Sequence, residues 1–262
     1  MNGVSSMDLR MDSSLASRYH NPTQIARVIT ESWVARELYC PFCGAEKLTG
    51  FENNRPAADF YCERCKEQFE LKSKKGALSK SIIGGAYSSM MQRISSSSNP
   101  NFICLNYCDQ SWHVRSLVLI PKYFIHENMI LKRKPLPASA RRAGWIGCTL
   151  QLDALPDEGK IYLVNNQRVI KKERILAAVK NTQFIDEMQV GQRSWLVAVL
   201  QCLQSIQSNE FSLNDVYAYK AKLSHLYPAN RNVEAKIRQQ LQILRDAAYL
   251  RFLGNGIYQK LV

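Results

Sequence analysis

Residues 58–75 read ADFYCERCKEQFELKSKK. Half of a four-cysteine metal site, Cys62-x-x-Cys65, stands between a carboxylate, Asp59, and the acid-x-lysine pair Glu70 and Lys72. In a strand, residues two apart face the same way. Over 67–73 that alternation puts Gln68, Glu70 and Lys72 on one face and turns Phe69 and Leu71 to a core. The knuckle between the two segments can fold Asp59 back towards Glu70 as a hairpin. Two carboxylates on adjacent strands with a lysine beside them suit Mg²⁺, which takes a few protein oxygens and keeps waters. A cation so held polarises a phosphodiester and activates water. The knuckle then has a mechanical role, pinning the hairpin that sets the acidic pair. Alone, D-x10-E-x-K is a loose pattern, because E-x-K on a solvated strand is common in a lysine-rich chain. The coupling to the knuckle and the charge distribution give it weight.

The other half of the metal site is Cys40-x-x-Cys43, so the full spacing is C-x2-C-x18-C-x2-C within a ribbon-like segment, 39–66. This fits a structural Zn²⁺ held by Cys40, Cys43, Cys62 and Cys65, with no open coordination position and hence no catalytic role. Cys104, Cys108, Cys148 and Cys202 are scattered in apolar or mixed surroundings and read as small core residues. No export signal supports disulfide pairing. His20, His113, His126 and His225 lack ligand spacing to one another.

The formal charge of +13 is unevenly spread. From Leu71 to Cys108 there is no carboxylate, but there are Lys72, Lys74, Lys75, Lys80 and Arg93. From Asn128 to Leu152 there is again none, with Lys132, Arg133, Lys134, Arg141 and Arg142. Acid-free basic blocks suit a polyanion, whose neutralised phosphates release counterions. No basic amphipathic helix is built for a lipid surface. The longest apolar runs, such as WLVAVL at 195–200, fall far short of the ~20 residues a membrane span needs. The expectation is a soluble, cytoplasmic protein with no membrane partner and a loosely ordered first twenty residues.

Asn21 and Pro22 open a helix in which Ile25, Val28, Ile29 and Trp33 recur at helical spacing. A short helix is expected over 84–94, a break over 95–101, and strands over 102–108, 114–120 and 160–164. Strands with interspersed helices indicate a mixed α/β domain. The character changes near 185–192. An amphipathic helix is expected over 193–206, a second from the Ser212 cap to Pro228, and a third over 232–250 with Val233, Ile237, Leu241 and Leu244 inward. Two β-type runs flank Gly254-Asn255-Gly256, a hairpin signal. Three helices and a hairpin make a winged helix-turn-helix. The division is therefore 1–188, carrying the zinc segment, and 189–262.

Two stretches suit nucleic acid. In SARRAGWIGCT (139–149), Arg141 and Arg142 suit phosphate or guanine. Gly144 and Gly147 allow close backbone approach. Trp145 offers an apolar face to a methyl group, although a buried Trp in a glycine-flanked turn is the commoner fate. On the third C-terminal helix, Asn232, Lys236, Gln239 and Gln240 tend outward, and Arg238 and Arg245 reach phosphate. Gln and Asn pair with adenine edges, Arg and Lys with guanine. Half of these can equally be plain solvated residues.

CPFCG, FENNRPAADFYC, FELKSKKG, NPNF, RRAGWIGC and IRQQLQILRD, in that order, resemble the DpnI family of restriction endonucleases from about Ile25 to the C-terminus. The resemblance implies a PD-(D/E)xK nuclease domain with a zinc site, followed by a winged helix. It implies cleavage of double-stranded DNA at G-A-T-C carrying N6-methyladenine. It casts Asp59, Glu70 and Lys72 as the catalytic trio and adds the Leu71 carbonyl as a Mg²⁺ ligand. The customary Pro-Asp is here Ala-Ala-Asp, with Pro56 three positions early; proline is not a ligand. A zinc-ribbon and winged-helix transcription regulator accounts for the zinc, the charge and the C-terminal plan equally well. It does not account for Asp59, Glu70 and Lys72 on one hairpin.

Overall fold

The computed structural model describes residues 7–52, 58–77, 79–95 and 99–261. Pro56, the first six residues and residues 96–98 of the expected break lie outside these. In chain order the elements are α1 (Pro22–Glu37), β1 (Thr49–Gly50), β2 (Phe60–Tyr61), β3 (Gln68–Lys75), β4 (Ser81–Ala86), α2 (Tyr87–Ser95), β5 (Asn101–Cys108) and β6 (His113–Ile120). Then come β7 (Ile130–Lys132), β8 (Gly147–Gln151), β9 (Ile161–Asn165), β10 (Arg168–Val169), α3 (Lys172–Thr182) and α4 (Val190–Ser205). The chain ends in β11 (Glu210–Ser212), α5 (Leu213–Tyr217), α6 (Lys220–Leu226), α7 (Val233–Asp246), β12 (Leu250–Gly254) and β13 (Ile257–Lys260).

Contacts divide the chain into two compact units. The first comprises Met1–Ile83, Ser96–Lys122 and Glu158–Gln183. The second comprises Gly84–Ser95, Tyr123–Asp157 and Phe184–Val262. The first is a seven-stranded mixed sheet, ordered β1-β2-β3-β5-β6-β9-β10. In this sheet β3 and β5 run parallel, with Glu70 opposite Phe102 and Lys72 opposite Cys104, while β1–β2, β2–β3, β5–β6, β6–β9 and β9–β10 are antiparallel. Parallel neighbours need a crossover, and the long chain between β3 and β5 supplies it. Apolar residues from β5, β6 and β9 (Leu105, Leu117, Leu119, Val164) meet Ile29, Trp33 and Val34 of α1 and Ile175 and Val179 of α3 in one core.

The expectation of a loosely ordered start fails from residue 7 on. Met7, Leu9 and Met11 alternate with Asp8, Arg10 and Asp12, a period-two pattern. All three apolar residues are buried. The Trp33 indole donates to the Asp8 carbonyl at 2.7 Å, and the Arg10 backbone pairs with His113 in an isolated antiparallel β-bridge. Of the four lone cysteines, Cys104, Cys148 and Cys202 are buried as expected, while Cys108 is only partly covered.

In the second unit, β4, β8 and β7 form a three-stranded sheet with α2 against it. A Cβ on Gly84 would lie 2.5 Å from the Cys148 Sγ, so the strand approaches there only as glycine. The C-terminal part is helix-turn-helix in type, α4 and α7 packing together beside the sheet β11-β13-β12. Ser212 and Asp215 form a reciprocal capping box at α5. The single helix expected over 212–228 is divided in two, because Tyr219 leaves helical conformation at ψ 4°. Nor is α4 amphipathic: Ser194 to Leu200 are all buried, as an all-round apolar stretch demands. No helix among the described residues is long and apolar enough to cross a membrane.

His126 is 7% exposed, and neither ring nitrogen has a hydrogen-bond partner among the described residues. Burial pulls its pKa from 6.5 down to about 4. Between those values the unfolded chain binds more protons than the folded one. The stabilising contribution is therefore full above pH 6.5 and is lost as pH falls towards 4, amounting to about 3 kcal/mol at most. His126→Phe is expected to flatten this part of the stability profile. Urea midpoints recorded down the pH range check it; parallel profiles for the two proteins would contradict it.

Candidate active site

The two halves of the hairpin meet as their spacing suggests. Phe60 pairs with Phe69 and Tyr61 with Gln68, antiparallel. The Asp59 amide donates to the Phe69 carbonyl at 2.9 Å, and the Leu71 amide donates to Asp59 Oδ2 at 2.7 Å. Among the described residues no strand pairs with β3 on its β2 side beyond Phe69. The N–H and C=O of one strand residue leave the same edge, so the Leu71 carbonyl shares the edge that faces Asp59. Lys72 Nζ lies 2.5 Å from Glu70 Oε1. The other oxygen, Glu70 Oε2, is buried and has no hydrogen-bond partner among the described residues. A buried carboxylate oxygen without a donor is costly unless a cation is its partner. With Asp59 and the Leu71 carbonyl, it makes an all-oxygen donor set of the kind Mg²⁺ takes.

An open cavity of about 1090 Å³ runs over these residues. Its wall includes Arg27, Thr30 and Glu31 of α1, opposite Asp59, Glu70, Lys72, Lys74 and Lys75. Glu31 is the acid that sequence reading missed. Its carboxyl is held above the usual range, first by burial and then by the charge of Asp59, against the pull of Arg27. The Arg27–Glu31 pair, 2.9 Å apart at i,i+4, reads in sequence as a solvated helix face.

The four knuckle sulfurs all lie within 4.8 Å of one another, with Cys40–Cys65 at 3.6 Å and Cys43–Cys62 at 3.5 Å. Tetrahedral Zn²⁺ with Zn–S bonds of 2.3 Å needs sulfurs about 3.8 Å apart, so the cluster fits structural zinc. Burial raises the Cys40 and Cys65 thiols, the latter to about 11, so their thiolates need a cation beside them. The cage is tied to the sheet through Glu67. Its carbonyl accepts from the Cys62 amide, and its carboxylate accepts from Lys122 Nζ at 3.0 and 3.1 Å and from Asn101 Nδ2 at 2.8 Å. Asn101, fully buried, also donates to the Gln68 carbonyl at 3.1 Å. The start of β3 is thus fastened to both the cage and β5.

Among the other expected residues, Lys74 and Lys75 are exposed, with Asp109 3.4 Å from Lys75. Arg141 and Arg142 are exposed on a loop between β7 and β8. The Arg142 guanidinium stands 4.8 Å from the centre of the Trp145 ring. Trp145 is half-buried, neither free nor a core residue, and its ring edge lies over Gly147, where a Cβ would approach it to 2.8 Å. On α7, Asn232, Arg238 and Gln239 are exposed and Lys236 is half-buried. Lys236 bonds Gln239 at 2.8 Å, and Arg238 bonds the Tyr217 hydroxyl at 2.5 Å. Gln240 does not point outward. It is fully buried, because it falls in the inward row Val233, Ile237, Gln240, Leu241, Leu244. The outward row instead includes Ala235 and Gln242.

The Dam-replacing family (DpnI) model matches residues 7–188, and the Dam-replacing HTH domain (DpnI_C) model matches residues 191–260. The chain belongs to the DpnI family. Membership implies a methylation-dependent restriction endonuclease that binds DNA. The four-cysteine cage fits structural zinc, and the acids on the adjoining hairpin are the candidate centre of hydrolysis.

Proposed function

We propose that the protein is a Mg²⁺-dependent type II endonuclease of PD-(D/E)xK type that cuts double-stranded DNA at G-A-T-C bearing N6-methyladenine. Residues 1–188 form the nuclease and 189–262 a winged-helix reader. The observation that carries the reading is Glu70 Oε2, buried in the open cleft beside Asp59 and without a hydrogen-bond partner among the described residues. Asp59, Glu70 and the Leu71 carbonyl would hold the cation. When bound, it supplies Lewis-acid polarisation of the scissile phosphate and lowers the pKa of water. Asp59 is fixed in place by the Leu71 amide and Glu70 by its ion pair with Lys72. The Lys72 ammonium, at 23% exposure, orients the attacking water and offsets charge that builds on the phosphate oxygens.

One methyl group buried in the major groove is worth about 1 kcal/mol, hence roughly tenfold at most. Two readers multiply their preferences. Trp145, with Arg141 and Arg142, serves as one. The outward face of α7, with Asn232, Lys236, Arg238 and Gln239, serves as the other; Lys74 and Lys75 contact phosphate.

Cleavage of plasmid in adenine-methylated and unmethylated forms, with and without Mg²⁺, tests the proposal. Cutting of the methylated form alone, and only with Mg²⁺, is expected. Binding without cutting would favour the zinc-ribbon regulator.

A further inference from the structure

We infer that Trp112, stacked on Tyr107, contacts the deoxyribose–phosphate backbone flanking the scissile phosphate, an inference that rests on the nuclease reading above. Both rings line the cleft that holds Asp59, Glu70 and Lys72. They lie 5.3 Å apart at 11°, a stacked pair. Tyr107 is buried and Trp112 half-buried, so the pair rests on the core and borders the opening.

Trp112 lies in the turn between β5 and β6 and takes a φ of 47°. Left-handed backbone is a genuine outlier for so bulky a residue. Glycine or asparagine would take it with less strain. The turn is held from outside: the Met11 amide donates to the Trp112 carbonyl at 2.8 Å, and the Val114 amide to the Leu9 carbonyl at 2.8 Å. An indole kept at a strained position on the wall of the cleft that holds the candidate centre points to use of the ring.

The neighbours indicate the ligand. Lys75 stands opposite Tyr107 in the β3–β5 ladder, and Lys74 and Lys75 are exposed. A flat apolar surface bordered by ammonium groups matches a sugar face followed by a phosphate. In a duplex the bases are stacked away, which leaves the sugar for the indole. Lys75 is five residues beyond Glu70, so about 16 Å along β3. At 3.4 Å per base pair that span covers about five base pairs, beyond a four-base-pair site. The contact therefore carries no sequence preference and supplies affinity that depends on duplex length.

The test uses the full chain and methylated G-A-T-C duplexes with about two or about ten flanking base pairs on each side, bound without Mg²⁺. Trp112→Leu, which keeps apolar packing but loses the flat ring, should bind the long duplex about fivefold more weakly. It should bind the short duplex within about twofold of wild type. Equal loss on both lengths would mark a structural residue and overturn the inference, as would no loss on the long duplex. Hydroxyl-radical footprinting of the wild-type chain does not depend on the variant's folding. Protected sugars about five base pairs from the cut support the inference, and unprotected sugars there overturn it. A wild-type chain that neither cuts nor prefers methylated duplex would sink the nuclease reading itself. One that does both while footprint and variant fail would sink only the Trp112 contact.

Discussion

Glu70→Ala should lower cleavage of methylated duplex by about a thousandfold and leave binding intact or slightly tighter. The carboxylate contributes to metal and charge, and only weakly to the fold. Its one partner among the described residues is Lys72, which the substitution frees to meet phosphate. Asp59 calls for a different substitution. Its Oδ2 accepts the Leu71 amide, so alanine would orphan a part-buried N–H at a cost of about 1–3 kcal/mol. Asp59→Asn keeps an acceptor there and removes the charge, so it should also abolish cutting while the hairpin persists. Single-turnover cleavage and filter binding on one duplex check both. Near wild-type cutting by either variant would remove that residue from the catalytic set.

Cys62→Ser should cost stability and activity together. Cys62 is fully buried in the cage, and losing a structural zinc ligand is expected to cost about 3 kcal/mol or more. For a domain of this size that is roughly 6–12 °C of Tm. The damage should reach Glu70 through two routes, the Phe60–Phe69 pairing and the Glu67–Asn101–Lys122 bonds that fasten the start of β3. Excess Mg²⁺ should therefore not restore cutting. Calorimetry, zinc content and cleavage measured on one preparation check this. A zinc-free variant that melts and cuts like wild type would show that the cage does not hold the hairpin.

The hairpin was legible because its signals are local. The cysteine spacing and the two-residue alternation of β3 both fall within a few turns of chain, and together they bring Asp59 to Leu71. Of the C-terminal helices, α7 is legible from its apolar spacing and α5 from its Ser212 cap, whereas the break at Tyr219 and the all-round burial of α4 are set by packing that no local signal announces. Glu31 was not, because it reaches the cleft only through the packing of α1 on the sheet, and in sequence it pairs with Arg27 as any exposed helix would. Gln240 was misplaced outward because its amide outweighed its position in the apolar row of α7. Met7, Leu9 and Met11 alternate with Asp8, Arg10 and Asp12 over too few positions to announce a buried segment, and packing against α1 buries all three.

The most direct measurement is anomalous scattering from crystals of the full chain soaked in Mn²⁺ as a stand-in for Mg²⁺, recorded at the zinc and manganese edges. The account predicts one zinc peak inside Cys40, Cys43, Cys62 and Cys65. It predicts a manganese peak about 10–15 Å away, among Asp59, Glu70 and the Leu71 carbonyl. Manganese absent from that edge of β3, or bound without Glu70, would contradict it.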